Sequence, residues 1–352
     1  MKDHLLLNLI AAAGLLVGPE LLYATTTQPA ADWAAGSYYG YQRPEKIIVE
    51  ETTPTRDQLT FHGRPPQVED DLKDSPRARP LTMGNIDIRR LRFRGTQGEI
   101  VPALLCTPKS KAGPFPLAIA VHGLGSNKAQ VCGQLAPALI RQGFAVLAPD
   151  TPVHGERPGD PREVWQKKDW LRAIELHRRA IIEIRQCIDV AEARSDLDLS
   201  RGIVLAGYSM GSWLDSIVGP LDERVQAMVL MVGGATDAAP FMKLLPQLAM
   251  ADPLQALPHF AGRPLLMLNG KFDSTVTPEM AKRLFAAAPE PKQQKWYESG
   301  HRLPEGAYED AAKWIAATWE QLSALAAPTD PASTSHPTER VSPQSSSRSR
   351  SN

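Results

Sequence analysis

The feature that most constrains this chain is an apolar segment that runs directly into the pattern Gly-x-Ser-x-Gly. Residues 201–206 have the composition of a fully buried strand, and residues 207–211 read Gly-Tyr-Ser-Met-Gly. A serine on a sharp strand-to-helix turn needs small neighbours, because a side chain at either flanking position would crowd the turn. Residues 210–218 can continue as a helix. The segment therefore predicts a strand, a nucleophile elbow and a helix, although the pattern alone also fits a Gly/Ser turn of an unrelated α/β domain.

Strand and helix patterns alternate along most of the chain. An antiparallel hairpin is predicted at residues 86–94 and 99–106, around a turn rich in glycine. Further buried strands are predicted at 116–121, 144–148, 225–232, 264–268 and 293–297, and helices at 129–142, 164–194, 277 onward and 305–326. Strands separated by helices favour an α/β fold with a doubly wound, mostly parallel sheet, in which the hairpin supplies an antiparallel edge.

The remaining segments suggest the domain organisation. Residues 25–84 are a proline-rich lead segment, residues 85–326 form the α/β domain, and residues 327–352 lack apolar periodicity and are predicted to be disordered. Residues 238–261 interrupt the strand–helix alternation with prolines after a strand end. This is where a small cap over an active site would be inserted.

The first residues resemble an export signal. An apolar run from Leu5 to Gly18 is too short to span a bilayer comfortably but fits the hydrophobic region of a signal peptide within residues 1–24. We therefore expect export to the periplasm or the medium. An uncleaved N-terminal anchor, or a cytoplasmic protein with an amphipathic helix, is the alternative.

Composition excludes several classes of partner. The formal net charge is zero, so no overall field recruits nucleic acid or anionic lipid. Cys106, Cys132 and Cys187 form no metal-binding spacing and lie in apolar stretches, which favours buried free thiols. We expect no metal and no organic cofactor.

Three residues in the appropriate order could activate a nucleophile. Ser209 needs a base, and His301 follows the last predicted strand, where it can accept the serine proton. Asp273 lies just beyond strand 264–268 and can orient the imidazole. Because the carboxyl ends of parallel strands meet at one edge of a sheet, these side chains are predicted to converge. The alternatives are a solvated loop histidine, a capping role for Asp273, and Asp237 as the acid.

Two backbone N–H groups are predicted to hold the oxyanion. The first belongs to Met210, directly after the nucleophile. The second belongs to Leu124, in the His-Gly-Leu-Gly loop that follows strand 116–121. His122 of this loop is expected to form structural hydrogen bonds beside the substrate pocket rather than to act as a second base. The loop matches neither of the glycine-rich patterns that cradle phosphate.

A polar loop at residues 150–157 follows strand 144–148. Its His154, Glu156 and Arg157 could suggest a metal or acid–base site, but a salt-bridged turn that braces the active site is favoured. A separate set of aromatic side chains is predicted to line the substrate pocket, although the tryptophans could equally be core residues: Tyr208, Trp165 and Trp170.

Together these motifs resemble the α/β-hydrolase superfamily over residues 85–325, and most closely its dienelactone hydrolase and acetyl xylan esterase-like branch. Ser209 stands where dienelactone hydrolases have a cysteine. Tyr208 and Met210 differ from the Gly-Gly-Ser-Gln-Gly-Gly elbow of the carbohydrate-deacetylating relatives. The resemblance implies a serine ester hydrolase and leaves dienelactone or xylan as the substrate open.

The expected activity is cleavage of small-molecule or carbohydrate esters with short acyl groups, since the cap insertion is small. One alternative is a peptidase or amidase of the prolyl oligopeptidase type, but the residues before position 85 are too few for a β-propeller. Another is a non-catalytic binding module on the same fold. That alternative predicts that a member of the triad is missing, and the sequence contains all three.

Overall fold

The computed structural model describes residues 38–59, 84–167, 169–236 and 250–326. The predicted signal peptide, the first part of the cap insertion, Asp237 and the predicted C-terminal tail lie outside these ranges. In the described ranges, no helix combines the length and the hydropathy needed to cross a membrane.

Within the described residues, ten strands form one mixed sheet with the order β1-β2-β3-β5-β4-β7-β8-β9-β10, and β6 pairs with β4 beside this path. Three pairs are antiparallel: β1 with β2, β2 with β3, and β3 with β5. All other pairs of neighbouring strands in this sheet are parallel. The strands are β1 (Val49–Thr52), β2 (Ile86–Arg94), β3 (Ile100–Pro108), β4 (Phe115–Val121), β5 (Ala145–Pro149), β6 (Leu197–Asp198), β7 (Ile203–Tyr208), β8 (Val225–Met231), β9 (Leu265–Gly270) and β10 (Lys292–Tyr297).

Helices cover both faces of the sheet. They are α1 (Lys128–Arg141), α2 (Pro161–Gln166), α3 (Trp170–Glu192), α4 (Met210–Leu221), α5 (Pro253–Ala256), α6 (Pro278–Ala287) and α7 (Glu305–Ala326). Alternate side chains of β4 show why the sheet is buried on both sides. Leu117 and Ile119 point into the core that contains α3 and α4, whereas Ala118 points into the core that contains α1 and α7.

The predicted α/β class, with its doubly wound sheet and N-terminal antiparallel hairpin, is confirmed by this architecture. The three cysteines are free and buried, as the sequence favours. Strand β1 was not predicted, because its sequence Val-Glu-Glu-Thr has no apolar alternation. It pairs antiparallel with β2. Two ion pairs across these strands, Arg92–Glu50 at 2.9 Å and Arg89–Glu51 at 3.0 Å, accompany the backbone pairing.

An acidic side chain lies inside the helix that follows the elbow. Asp215 of α4 is fully buried, and neither of its carboxyl oxygens has a hydrogen-bond partner among the described residues. Burial raises the pKa of the Asp215 carboxyl well above its ordinary value of 3.8, because an unpaired buried anion is strongly disfavoured. Folding therefore favours the neutral acid form of this group.

The substitution Asp215→Asn should change how stability depends on pH. The unfolded chain loses the Asp215 proton at a lower pH than the folded chain, so the wild type loses unfolding free energy as pH rises above about 4. In urea unfolding above about pH 4, the variant should gain on the wild type by up to about 1.4 kcal/mol per pH unit, until the pH reaches the raised pKa of the folded state. Parallel pH profiles for the two proteins would show that Asp215 is not buried as a neutral acid.

Candidate active site

Ser209 occupies a strained turn between β7 and α4. Its φ of 55° and ψ of −109° are unusual for a residue with a side chain. Two backbone hydrogen bonds hold the turn: the Ser209 N–H donates to the Met231 carbonyl at 2.9 Å, and the Trp213 N–H donates to the Ser209 carbonyl at 3.1 Å. The turn places the Ser209 side chain at the carboxyl edge of the parallel strands, as expected of a nucleophile elbow.

The two flanking glycines are required by close backbone contacts. A Cβ atom on Gly207 would lie 2.4 Å from the carbonyl carbon of Gly211. A Cβ atom on Gly211 would lie 2.1 Å from the carbonyl oxygen of Val121, at the end of β4. Helix α4 therefore approaches the sheet so closely that a side chain at Gly207 would separate the helix from β7, and one at Gly211 would separate it from β4.

The predicted serine, histidine and aspartate converge in one hydrogen-bonded chain. His301 Nε2 lies 3.0 Å from Ser209 Oγ, and His301 Nδ1 lies 2.8 Å from Asp273 Oδ2. Asp273 is only 3% exposed. Its other oxygen, Oδ1, accepts hydrogen bonds from the backbone N–H groups of Thr275 at 2.8 Å and Val276 at 2.9 Å. The carboxylate is thus held in one orientation toward the imidazole.

Hydrogen bonds between the two loops keep Asp273 and His301 in register. The Lys271 N–H donates to the Tyr297 carbonyl at 2.8 Å, and the Phe272 N–H donates to the Ser299 carbonyl at 2.9 Å. These bonds join the loop after β9 to the loop after β10. A shift of either loop would therefore move both members of the Asp273–His301 pair together.

Tyr208 fastens the histidine loop to the elbow. Its hydroxyl donates to the His301 carbonyl at 2.7 Å and accepts from the Leu303 N–H at 3.3 Å. The Tyr208 ring also packs edge-on against the His301 ring, with centroids 6.1 Å apart. The sequence suggested only a pocket-lining role for Tyr208. The structure shows that this residue holds the backbone that carries the base.

The two predicted oxyanion donors have no competing acceptor. Among the described residues, neither the Leu124 N–H nor the Met210 N–H forms a hydrogen bond. Met210 begins α4, where the first N–H groups of the helix point out of its N-terminus. The Leu124 loop is adjacent, since a Cβ atom on Gly123 would lie 3.5 Å from the Ser209 Cβ. Both donors therefore border the nucleophile.

His122 forms the structural hydrogen bonds that the sequence favours, and its place beside a substrate pocket stays a prediction. Its side chain is fully buried, with Nδ1 2.8 Å from the Gly123 carbonyl and Nε2 3.1 Å from the Thr151 backbone nitrogen. Burial lowers the pKa of His122 to about 4. The ring is therefore a neutral structural group beneath the oxyanion loop, because both nitrogens already have partners.

The loop at residues 150–157 is a salt-bridged turn. Lys128 Nζ lies 2.6 Å from Asp150 Oδ2 and 2.7 Å from Glu156 Oε1, and the side chains of Lys128 and Asp150 are 2% and 0% exposed. Arg157 is also buried and pairs with Glu183. Gly155 leaves the room that Asp150 fills, since a Cβ atom there would lie 2.2 Å from the carboxyl group.

Two other predicted pocket residues are placed only by their backbones. Trp165 lies in α2 and Trp170 begins α3, and their side chains are outside the described part of the chain. The structure also defines the side chain of a tryptophan that the sequence analysis did not select. Trp213 is one helical turn after Ser209, and its indole Nε1–H donates to the Ala251 carbonyl at 3.0 Å. The helical spacing from the elbow was the signal that could have identified it.

Comparisons with known proteins agree with this architecture. A model described as the alpha/beta hydrolase family matches residues 118–347. An acetyl xylan esterase from a Paenibacillus species has a TM-score of 0.55 and 18% identity, over 85% of this chain and 96% of that chain. Acetyl xylan esterase 1 from a Thermoanaerobacterium species has a TM-score of 0.54 and 18% identity, over 76% and 99%.

A cold-adapted esterase from an Arctic intertidal metagenomic library is similar in the same way. It has a TM-score of 0.53 and 19% identity, over 67% of this chain and 96% of that chain. No curated protein matches the sequence. At these identities the solved structures establish the fold and leave the substrate undetermined.

The close approach at the elbow leads to a stability prediction. Gly211→Ala should lower the unfolding free energy by about 3 kcal/mol or more, because the new methyl group would meet the Val121 backbone rather than a flexible side chain. Gly306→Ala is the matched control, since a Cβ atom there has no neighbour within 4 Å. Urea unfolding should place the control within about 1 kcal/mol of wild type. Equal stability of the two variants would refute the close-packing argument.

Proposed function

The chain belongs to the α/β-hydrolase family, and from that premise we propose that it hydrolyses carboxylic esters through an acyl-enzyme on Ser209. The observation that carries the proposal is the unbroken hydrogen-bonded path from Asp273 through His301 to the Ser209 hydroxyl. The hydroxyl of serine is a weak nucleophile at neutral pH, and this path supplies the base that it needs.

Acylation begins when Ser209 Oγ attacks the ester carbonyl while His301 Nε2, at 3.0 Å, takes the hydroxyl proton. Asp273 accepts a hydrogen bond from Nδ1 and so keeps Nε2 unprotonated before the attack. It then stabilises the imidazolium that forms. Collapse of the tetrahedral intermediate breaks the bond to the alcohol oxygen, which receives the proton from Nε2. The acyl group remains on Ser209.

Deacylation repeats the same steps with water as the nucleophile. His301 removes a proton from water, the hydroxide adds to the acyl carbon, and Ser209 Oγ leaves with the proton that His301 returns. In both acylation and deacylation, the negatively charged carbonyl oxygen accepts hydrogen bonds from the N–H groups of Leu124 and Met210. These donors are already oriented and unpaired, so stabilising the charge requires little reorganisation.

The substrate that we propose is an ester of a short acyl group, on a small molecule or a carbohydrate. The small size of the predicted cap insertion at residues 238–261 supports a short acyl group. Two structural neighbours are named acetyl xylan esterases, which favours an acetyl group. No cofactor takes part in the steps proposed here.

Removal of the nucleophile should abolish ester cleavage. Ser209→Ala is expected to lower kcat for p-nitrophenyl acetate by at least about a thousandfold, as for the loss of a triad member. A fluorophosphonate probe should label the wild type at Ser209 and leave the variant unlabelled. A variant that keeps most of the esterase activity would contradict the proposal. Failure of the folded wild type to be labelled would support a non-catalytic module instead.

The choice of acid can be tested with two aspartate variants. Asp273→Asn should lower kcat by about ten-thousandfold at pH 7, because the amide favours the wrong imidazole tautomer. Asp237→Asn should change kcat by less than about tenfold, since Asp273 already fills the position at Nδ1. Circular dichroism would establish that both variants are folded. The reverse ranking would assign the acid to Asp237.

A further inference from the structure

A chain of polar contacts runs from the 150–157 loop to the oxyanion loop. His154 Nδ1 lies 2.8 Å from the Pro152 carbonyl and 3.2 Å from Thr151 Oγ1. Thr151 Oγ1 lies 3.1 Å from His122 Nε2, and His122 Nδ1 lies 2.8 Å from the Gly123 carbonyl. Every side chain in this chain of contacts is at least nine-tenths buried.

The partners determine the proton positions. A carbonyl oxygen only accepts, so the nitrogen that faces it must carry the hydrogen in each ring: Nδ1 of His122 and Nδ1 of His154. His122 Nε2 is then an acceptor, and it receives the Thr151 backbone N–H. The Thr151 hydroxyl, which also faces Nε2, must donate to it and can accept from His154.

Two further observations agree with this assignment. Burial lowers the pKa of His122 to about 4 and that of His154 to about 3, so both rings are neutral at physiological pH. His154 Nε2 is buried without a partner among the described residues. An unpartnered acceptor nitrogen is tolerable there, whereas the other tautomer would bury an unpaired donor.

The orientation of the oxyanion donor follows from peptide geometry. The C=O and N–H of a trans peptide point in opposite directions. The Gly123 carbonyl accepts from His122 Nδ1 and from the Ser126 N–H at 3.1 Å, so the Leu124 N–H of the same peptide points away from both donors. The Gly123 backbone adjoins Ser209. Holding the carbonyl therefore also holds the donor.

We propose that Thr151 and His154 are positioning residues for the oxyanion hole, which act on the Leu124 N–H through His122. The Thr151 hydroxyl, together with the Thr151 backbone N–H, donates to His122 Nε2 and so helps to hold the ring in the plane that meets the Gly123 carbonyl. Each bond in the chain polarises the next, so the Leu124 N–H becomes a better donor than an isolated amide. The proposal rests on the esterase function inferred above.

The salt-bridged turn gives these residues a rigid base. Thr151 follows Asp150, whose carboxylate accepts from the Lys128 and Glu156 backbone N–H groups, each at 2.9 Å. Lys128 begins the helix that leaves the oxyanion loop. The loop is therefore attached to the 150–157 turn twice: by Lys128 at its end, and by His122 at its start.

Thr151→Val tests the proposal, because it removes the hydroxyl and keeps both the side-chain volume and the backbone N–H. With p-nitrophenyl acetate, kcat should fall by about tenfold while KM stays within about twofold, since the oxyanion forms only in the transition state. Thr151→Ser should restore kcat to within about threefold of wild type. Thr318→Val is the control, since Thr318 is 5% exposed and Thr151 is 4% exposed, but Thr318 lies in α7. The kcat of this control variant should equal that of the wild type.

Inhibition by a trifluoromethyl ketone gives a second readout. This compound forms an oxyanion when Ser209 adds to it, so its affinity should weaken in Thr151→Val by the same factor as kcat. A merely structural role would lower the melting temperature without this parallel loss. Unchanged kcat and inhibitor affinity in a folded Thr151→Val protein would overturn the proposal. Absence of ester hydrolysis by the wild type would instead overturn the function on which it rests.

A measurement on the wild type keeps the proposal testable if Thr151→Val does not fold. Nitrogen-15 NMR of histidine-labelled protein should show two neutral rings in the Nδ1–H tautomer that have proton contacts to Thr151. An Nε2–H tautomer for the His122 ring would refute the proposed chain of contacts, whatever the activity of any variant.

Discussion

The close approach of α4 to the edge of the sheet is the constraint on which the active site depends. The Gly211 backbone lies so near the Val121 carbonyl that even a methyl group would not fit. This contact forces the chain to turn sharply at Ser209, which adopts a positive φ. Because α4 packs this closely against the end of β4, the first N–H groups of α4 also lie beside the loop that follows β4. One packing contact thus places both Ser209, the proposed nucleophile, and the Met210 N–H, a proposed oxyanion donor.

Around this turn the polar groups are held by neighbours rather than left to solvent. Asp273 accepts two backbone N–H groups as well as the imidazole, and Tyr208 holds the His301 carbonyl. Burying these polar groups costs desolvation free energy, but the hydrogen bonds hold the Asp273 carboxylate and the His301 backbone in one geometry. The buried Lys128–Asp150 pair follows the same logic. A buried ion pair contributes little net stability compared with apolar residues of similar volume, so its value here lies in the orientation of the 150–157 turn.

The same fold serves many ester substrates, so substrate choice must come from the groups that surround the triad. Trp213 lies one helical turn after Ser209, and its bond to the Ala251 carbonyl attaches the elbow helix to the segment that leads into α5. A change in the segment at residues 250–256 would therefore alter the contact of Trp213, which lies one helical turn after Ser209.

Local patterns in the sequence were enough to predict the strand–turn–helix at Ser209 and the alternation of strands and helices, because these features depend on residues that are close in the chain. The order of Ser209, Asp273 and His301 could also be predicted, because it is a property of the chain itself. The bounds of α7 agree with its apolar periodicity. Strand β1 was missed because cross-strand pairing with β2, not its own composition, makes it a strand. Distant loops also supply the partner of His122 at Thr151, the hydrogen bonds of Tyr208 to the His301 loop and the side-chain contacts of Thr151. Only tertiary packing brings those partners together, since residues 29 and 93 positions apart in the chain leave no local signal of the hydrogen bonds that they form.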